Sequence, residues 1–96
     1  AVAEVKVLWS DQSITDLEEM ISYIARDSPP AARNFATKII DATTVLETFA
    51  TIGRIVPEYS DASLREILYR NYRIVYQLSD NTATIVTVFH GSRPLA

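Results

Sequence analysis

Cysteine is absent from this 96-residue chain, histidine occurs once and glycine twice. Without cysteine there are no disulfides, no thiolate nucleophile and no cysteine-ligated metal, a composition that accords with a reducing cytosol. A single histidine rules out the paired-histidine metal motifs, and two isolated glycines leave no glycine-rich phosphate loop and no nucleophile elbow. No apolar run approaches the length of a bilayer span, and the opening residues Ala1 to Lys6 lack the basic end and apolar stretch of a signal peptide. A soluble cytoplasmic protein with no cofactor, no metal and no membrane partner is therefore expected.

What is present suits a globular fold. Apolar residues make up 48% of the chain and charged residues 22%, far from the disordered class, and the length allows one hydrophobic core, so residues 1–96 read as a single domain. The net charge of −3 is unevenly spread: residues 1–53 hold four basic and eight acidic side chains, residues 54–96 five basic and four acidic. Bulk coating of nucleic acid needs many Lys and Arg contacts to phosphates and is excluded by this balance, whereas a small local basic site in the second half is not.

Val5 to Trp9 alternates partially and is rich in β-favouring residues, which predicts a strand. Ser10 then caps a helix whose apolar positions Ile14, Leu17, Ile21 and Ile24 recur at spacings of three and four, with acidic residues gathered near its start. Ser28 before Pro29 and Pro30 opens a second helix, since proline costs nothing at a first helical position whose N–H has no partner. The stripe Phe35, Ile39, Ala42, Val45, Leu46, Phe49 carries that helix to a stop before Gly53, and Tyr23, Phe35 and Phe49 are assigned mainly to the core. Arg54 to Asp61 reads as a loop. Three strands follow, Leu64 to Leu68, Tyr72 to Leu78 and Ala83 to Phe89, joined by short polar turns at Arg70-Asn71 and Ser79-Asp80-Asn81, as in an antiparallel meander. The fold class is α+β: an N-terminal strand, a two-helix hairpin and a twisted antiparallel sheet in the order β-α-α-β-β-β, with the first strand joining the sheet and one sheet face left open.

Chemistry, if there is any, must come from the polar set Arg54, Glu58, Arg65, Arg70, Arg73, His90 and Arg93. Alternation places Arg73 on the face of Val75 and Gln77, opposite Tyr72, Ile74 and Tyr76. Its plain reading is an ion pair with a carboxylate such as Glu66 on the neighbouring strand; its functional reading is a phosphate clamp, because arginine stays cationic and presents a planar fork of donors. His90 at the end of the last strand is either a strand-capping residue or a general acid or base, and Glu58 is either a salt-bridged carboxylate or a base. Glu58, Arg73 and His90 together would supply base, anion stabiliser and acid for metal-independent RNA cleavage by the ribose 2′-hydroxyl.

Taken in order, Val7-Leu8-Trp9-Ser10, Asp16-Leu17, Tyr23-Ile24-Ala25, Ala31-Ala32-Arg33-Asn34-Phe35, Gly53-Arg54, Val56-Pro57-Glu58, Leu64-Arg65-Glu66-Ile67, Tyr72-Arg73-Ile74-Val75-Tyr76 and Val88-Phe89-His90 with Arg93 and Leu95 resemble the ParE/RelE family of type II toxin–antitoxin toxins. The resemblance implies a helical hairpin on an antiparallel sheet and a cognate antitoxin whose C-terminal segment wraps the toxin. ParE-like members poison DNA gyrase; RelE-like members cut messenger RNA on the ribosome. Arg73 and Arg93 match arginines of the ribosome-dependent nucleases, but Leu64 and Glu66 stand where that pattern has lysines, and its C-terminal tyrosine would fall beyond Ala96. In a nuclease branch resembling YoeB, Glu58, Arg73 and His90 match while Gly91 replaces a tyrosine. The resemblance thus leans to a gyrase poison, with Arg65, Arg70, Arg73, His90 and Arg93 as target contacts; the alternatives are a ribosome-dependent endoribonuclease using Glu58, Arg73 and His90, and an inactive relative that only binds antitoxin.

Overall fold

Helices and strands that are each apolar on one side must bury those sides together, and here they do so as a helix pair against a sheet. In the computed structural model, which describes residues 4–91, the order is β1 (Lys6–Trp9), α1 (Asp11–Ala25), α2 (Pro29–Thr44), a 3-10 turn (Val45–Glu47), β2 (Arg54–Ile55), β3 (Leu64–Tyr69), β4 (Tyr72–Ser79) and β5 (Thr82–His90). The α+β architecture expected from the sequence is the one observed.

Both helix starts follow from their serines. Ser10 sits in extended backbone and its Oγ accepts the Ser13 N–H at 3.1 Å; Ser28 does the same for Ala31 at 3.2 Å, with Pro29 at the first helical position. Helix α2 ends earlier than its apolar stripe suggested. Thr43 and Thr44 both donate their hydroxyls to the Ile40 carbonyl, at 2.8 and 3.0 Å, and β-branched residues that compete for backbone acceptors weaken a helix at that point. The chain tightens into the 3-10 turn, which keeps Leu46 buried but leaves Phe49 58% exposed. Of the three aromatics assigned to the core, only Phe35 is there; Tyr23 is 70% exposed.

The five strands lie in the order β1-β5-β4-β3-β2. Strands β3, β4 and β5 form the expected antiparallel meander, whereas β1 runs parallel to β5, so the sheet is mixed rather than wholly antiparallel. The segment read as a loop contributes the two-residue edge strand β2, paired antiparallel with β3. Between Val75 and Tyr76 the β4–β5 register slips: Val75 faces Thr87 and Tyr76 faces Ile85, so Val86 is an extra residue in β5. β1 stops at the same place, its Trp9 facing Ile85. Beyond it, helix α1 covers the edge of β5: Ser10 Oγ donates to the Val86 carbonyl at 3.0 Å, and Asp16 Oδ2 accepts from Thr87 Oγ1 at 2.5 Å and from the Val88 N–H at 3.4 Å.

The sheet separates two clusters. Phe35, Ile39 and Leu46 from the helical segment pack with Ile74, Tyr76, Ala83, Ile85 and Val88 on the covered face. A smaller group, Val56, Val75 and Phe89 with Leu64 and Val86, lies apart from it on the other face.

Candidate functional site

The smaller cluster carries the charge. Arg73 lies beside Val75 in β4, and Glu66 of β3 is the cross-strand partner of Val75, so the two side chains meet on the face away from the helices. Arg73 Nε donates to Glu66 Oε1 at 2.6 Å, the pairing expected from alternation. Two further residues join from the chain before β3. Arg54, directly opposite Glu66 in β2, donates Nε to Glu66 Oε2 at 2.6 Å, and Glu58 closes on the end of the Arg73 fork, its two oxygens accepting from Nη1 at 2.8 Å and Nη2 at 2.7 Å.

The four residues form an electroneutral chain graded in exposure. The Glu66 side chain is wholly buried, Arg73 is 8% exposed, Glu58 30% and Arg54 55%. A carboxylate without water is tolerable only when paired and hydrogen-bonded; both Glu66 oxygens are bonded to guanidinium groups. Glu58 above all, and then Glu66, hold the Arg73 guanidinium above its already high ordinary value against the opposing effect of burial. The same group lies over the Phe89 ring, 5.1 Å from its centre, a cation–π contact that compensates part of the desolvation. Among the described residues no buried side-chain polar atom lacks a partner.

Gly53 lets the preceding loop come close enough to deliver Arg54. A Cβ there would sit 2.6 Å from both the Glu66 carbonyl oxygen and the Tyr76 hydroxyl. That hydroxyl accepts the Gly53 N–H at 3.0 Å and donates to the Ala50 carbonyl at 2.7 Å, and burial pushes its pKa above the usual phenol value. Arg65 is tied to the same loop, Nη1 donating to the Gly53 carbonyl at 3.0 Å and Nε to the Ala62 carbonyl at 2.9 Å. In the sequence this anchoring is marked by the lone Gly53 between Ile52 and Arg54.

Of the suggested trio, the structure joins Glu58 to Arg73 and sets His90 apart. His90 is the cross-strand partner of Tyr72 and rests edge-on against that ring, centres 5.5 Å apart, while Arg73 is opposite Phe89. The histidine and Arg73 nevertheless share an open hollow of about 470 Å³ at the end of the strand pair, lined also by Arg54, Leu68, Arg70, Asn71 and Gly91. Arg70 occupies the β3–β4 turn, its guanidinium 5.7 Å from the centre of the Tyr69 ring. Arg93 lies outside the described residues. Among the described residues no group of three acidic, histidine or cysteine side chains is placed to hold a metal, and no helix is long and apolar enough to cross a membrane.

Comparison with known proteins gives a consistent result. The family model described as the ParE toxin of type II toxin–antitoxin systems, parDE, matches residues 7–95. A curated relative, Toxin RelE2 of Caulobacter vibrioides, is 30% identical over 89 residues, covering 92% of this chain and 97% of the relative. Among solved structures, the chromosomal ParDE toxin–antitoxin system from P. aeruginosa superposes with a TM-score of 0.75 at 16% identity, covering 92% of this chain and 97% of that one. The toxin–antitoxin complex RelBE2 from Mycobacterium tuberculosis superposes with a TM-score of 0.67 at 18% identity, covering 91% and 98%.

Proposed function

The chain belongs to the ParE toxin family of type II toxin–antitoxin systems, and on that premise we propose that it is a poison of DNA gyrase, neutralised by a cognate antitoxin, that makes and breaks no covalent bond itself. The observation that supports this reading is the closure of Arg73. An arginine that stabilises a scissile phosphate must turn donors toward it, yet Nε, Nη1 and Nη2 of Arg73 each give a hydrogen to a carboxylate, which leaves only the second hydrogens of Nη1 and Nη2. Glu66, standing where the nuclease pattern has a lysine, supplies one of these, and Glu58, the candidate base, commits both oxygens to the same fork. The result is an electroneutral cluster rather than an excess of cations.

On this reading the toxin binds gyrase and traps the cleaved DNA complex, and the polar residues around the hollow are contacts. The antitoxin is a segment that orders as it binds; the solved ParDE and RelBE2 relatives are toxin–antitoxin assemblies, and exposed apolar side chains such as Tyr23, Ile40, Phe49 and Ile52 offer it surface.

Purified gyrase with relaxed plasmid tests the proposal. The expected outcome is loss of supercoiling with accumulation of linear plasmid, reversed by antitoxin; no effect of a folded sample at many-fold excess overturns it. A second reading, a ribosome-dependent endoribonuclease, draws support from the cationic hollow that includes His90 and from the name of the Caulobacter relative. It requires cleavage of ribosome-bound messenger RNA that is lost in Glu58→Ala, Arg73→Ala and His90→Ala.

A further inference from the structure

Two hairpin turns in this protein share a length and a positive φ and differ in chemistry. The β3–β4 turn between Tyr69 and Tyr72 and the β4–β5 turn between Ser79 and Thr82 each contain two residues, and in each the first has positive φ: 53° at Arg70 and 52° at Asp80. Aspartate tolerates that conformation because its short side chain bonds locally; a long side chain such as arginine is disfavoured there. The chain therefore holds an arginine where glycine, asparagine or aspartate would be easier, and such strain points to a role for the side chain itself.

Its surroundings indicate the role. Within the hollow, Arg54 and Arg73 are matched by Glu66 and Glu58, whereas among the described residues no carboxylate pairs with Arg70. Its guanidinium lies 5.7 Å from the centre of the Tyr69 ring, and Asn71, Arg54 and Leu68 line the same hollow. We propose that Arg70, with the exposed end of Arg54, is a seat for one phosphodiester of a nucleic-acid strand. One net positive charge in the hollow matches one phosphodiester, and a planar guanidinium suits its paired oxygens. The inference rests on the proposed function in one respect: the complex the toxin enters contains nucleic acid. With a net charge of −3, the protein has no bulk attraction to such a strand, so one placed arginine determines the local contact.

The test uses the full chain and fluorescently labelled single strands of about twenty nucleotides, one DNA and one RNA of matching sequence, with anisotropy read across a salt series. Arg70→Asn fits the turn, so it should fold and show a higher midpoint in urea than the parent. It should also bind either strand roughly three- to ten-fold more weakly, with a salt slope shallower by about one; Lys38→Ala, which removes an exposed charge from α2, should change neither. Where Arg70→Asn weakens binding, which supports the seat, tighter binding of DNA by the parent identifies a DNA strand as the source and tighter binding of RNA a message. Unchanged oligonucleotide binding in Arg70→Asn overturns the proposal, also where that variant loses affinity for an acidic antitoxin peptide instead. Gyrase is absent from this assay, so its outcome is separate from that of the supercoiling test.

Discussion

The two faces of the sheet solve the same problem by different means. Under the helices, Ile74, Tyr76, Ile85 and Val88 are buried against Phe35, Ile39 and Leu46, and cohesion comes from apolar area without directional requirements. Away from them, among the described residues, there is no helix to bury against, and a small group around Val75 and Phe89 is closed over by Glu66, Arg73, Glu58 and Arg54. Apolar packing degrades gradually as groups are removed. An ion cluster is conditional, because each member is acceptable only while its partners remain.

That contrast can be broken most sharply at Glu66. Glu66→Ala leaves Arg73 buried with half its partners and should cost about 3–5 kcal/mol in urea unfolding. Replacing Glu66 and Arg73 together by leucine should recover most of that loss, since two well-packed apolar residues need no partners. A single mutant that costs less than about 1 kcal/mol would show that water reaches the cluster and that the two faces do not differ in kind.

Tyr76 joins the faces, its ring in the covered core and its hydroxyl holding the loop that carries Arg54. Tyr76→Phe should cost about 1–2 kcal/mol at neutral pH by leaving the buried Gly53 N–H without an acceptor. Burial raises the folded-state pKa above the ordinary value of 10.0, so the folded state favours the neutral phenol. The parent keeps its full stability below pH 10 and loses it as pH rises through the folded value. Phenylalanine does not titrate, and the gap between the two proteins should narrow in alkaline unfolding series; a constant gap would contradict the burial of the hydroxyl. The smallest effect belongs to Arg54→Ala. Its own side chain is more than half exposed, but its loss leaves the buried Glu66 Oε2 without a donor, so it should cost about 1 kcal/mol while leaving the Arg73–Glu66 bond in place.

Sequence periodicity located most of the elements because each has a strong local cause: alternation in β3 to β5, stripes of three and four in the helices, serine caps at both helix starts. It also anticipated the Arg73–Glu66 pair, since alternation fixes a shared face. What stayed hidden was non-local. A two-residue strand such as Arg54–Ile55 has no period to detect, and nothing in Val5 to Trp9 says that it runs parallel to β5. The helical stripe continued through Phe49 although the helix ended at Thr44, because a tight turn preserves some of the same spacing. In the site, Glu58 reaches Arg73 across fifteen positions of chain through a loop whose path depends on Gly53, and composition says nothing about that path. His90 was grouped with Arg73 by chemistry, but strand register sends it toward Tyr72.

The transfer of β5 from a strand neighbour to a helix side chain has a consequence for how the molecule opens. Along most of the sheet an amide is protected from exchange with solvent by a neighbouring strand, and losing that protection means parting the sheet. The Val88 N–H is held instead by Asp16 of α1, so its deuterium uptake measures helix detachment while the β4–β5 ladder is still intact. One amide thus separates two opening events that other probes would merge.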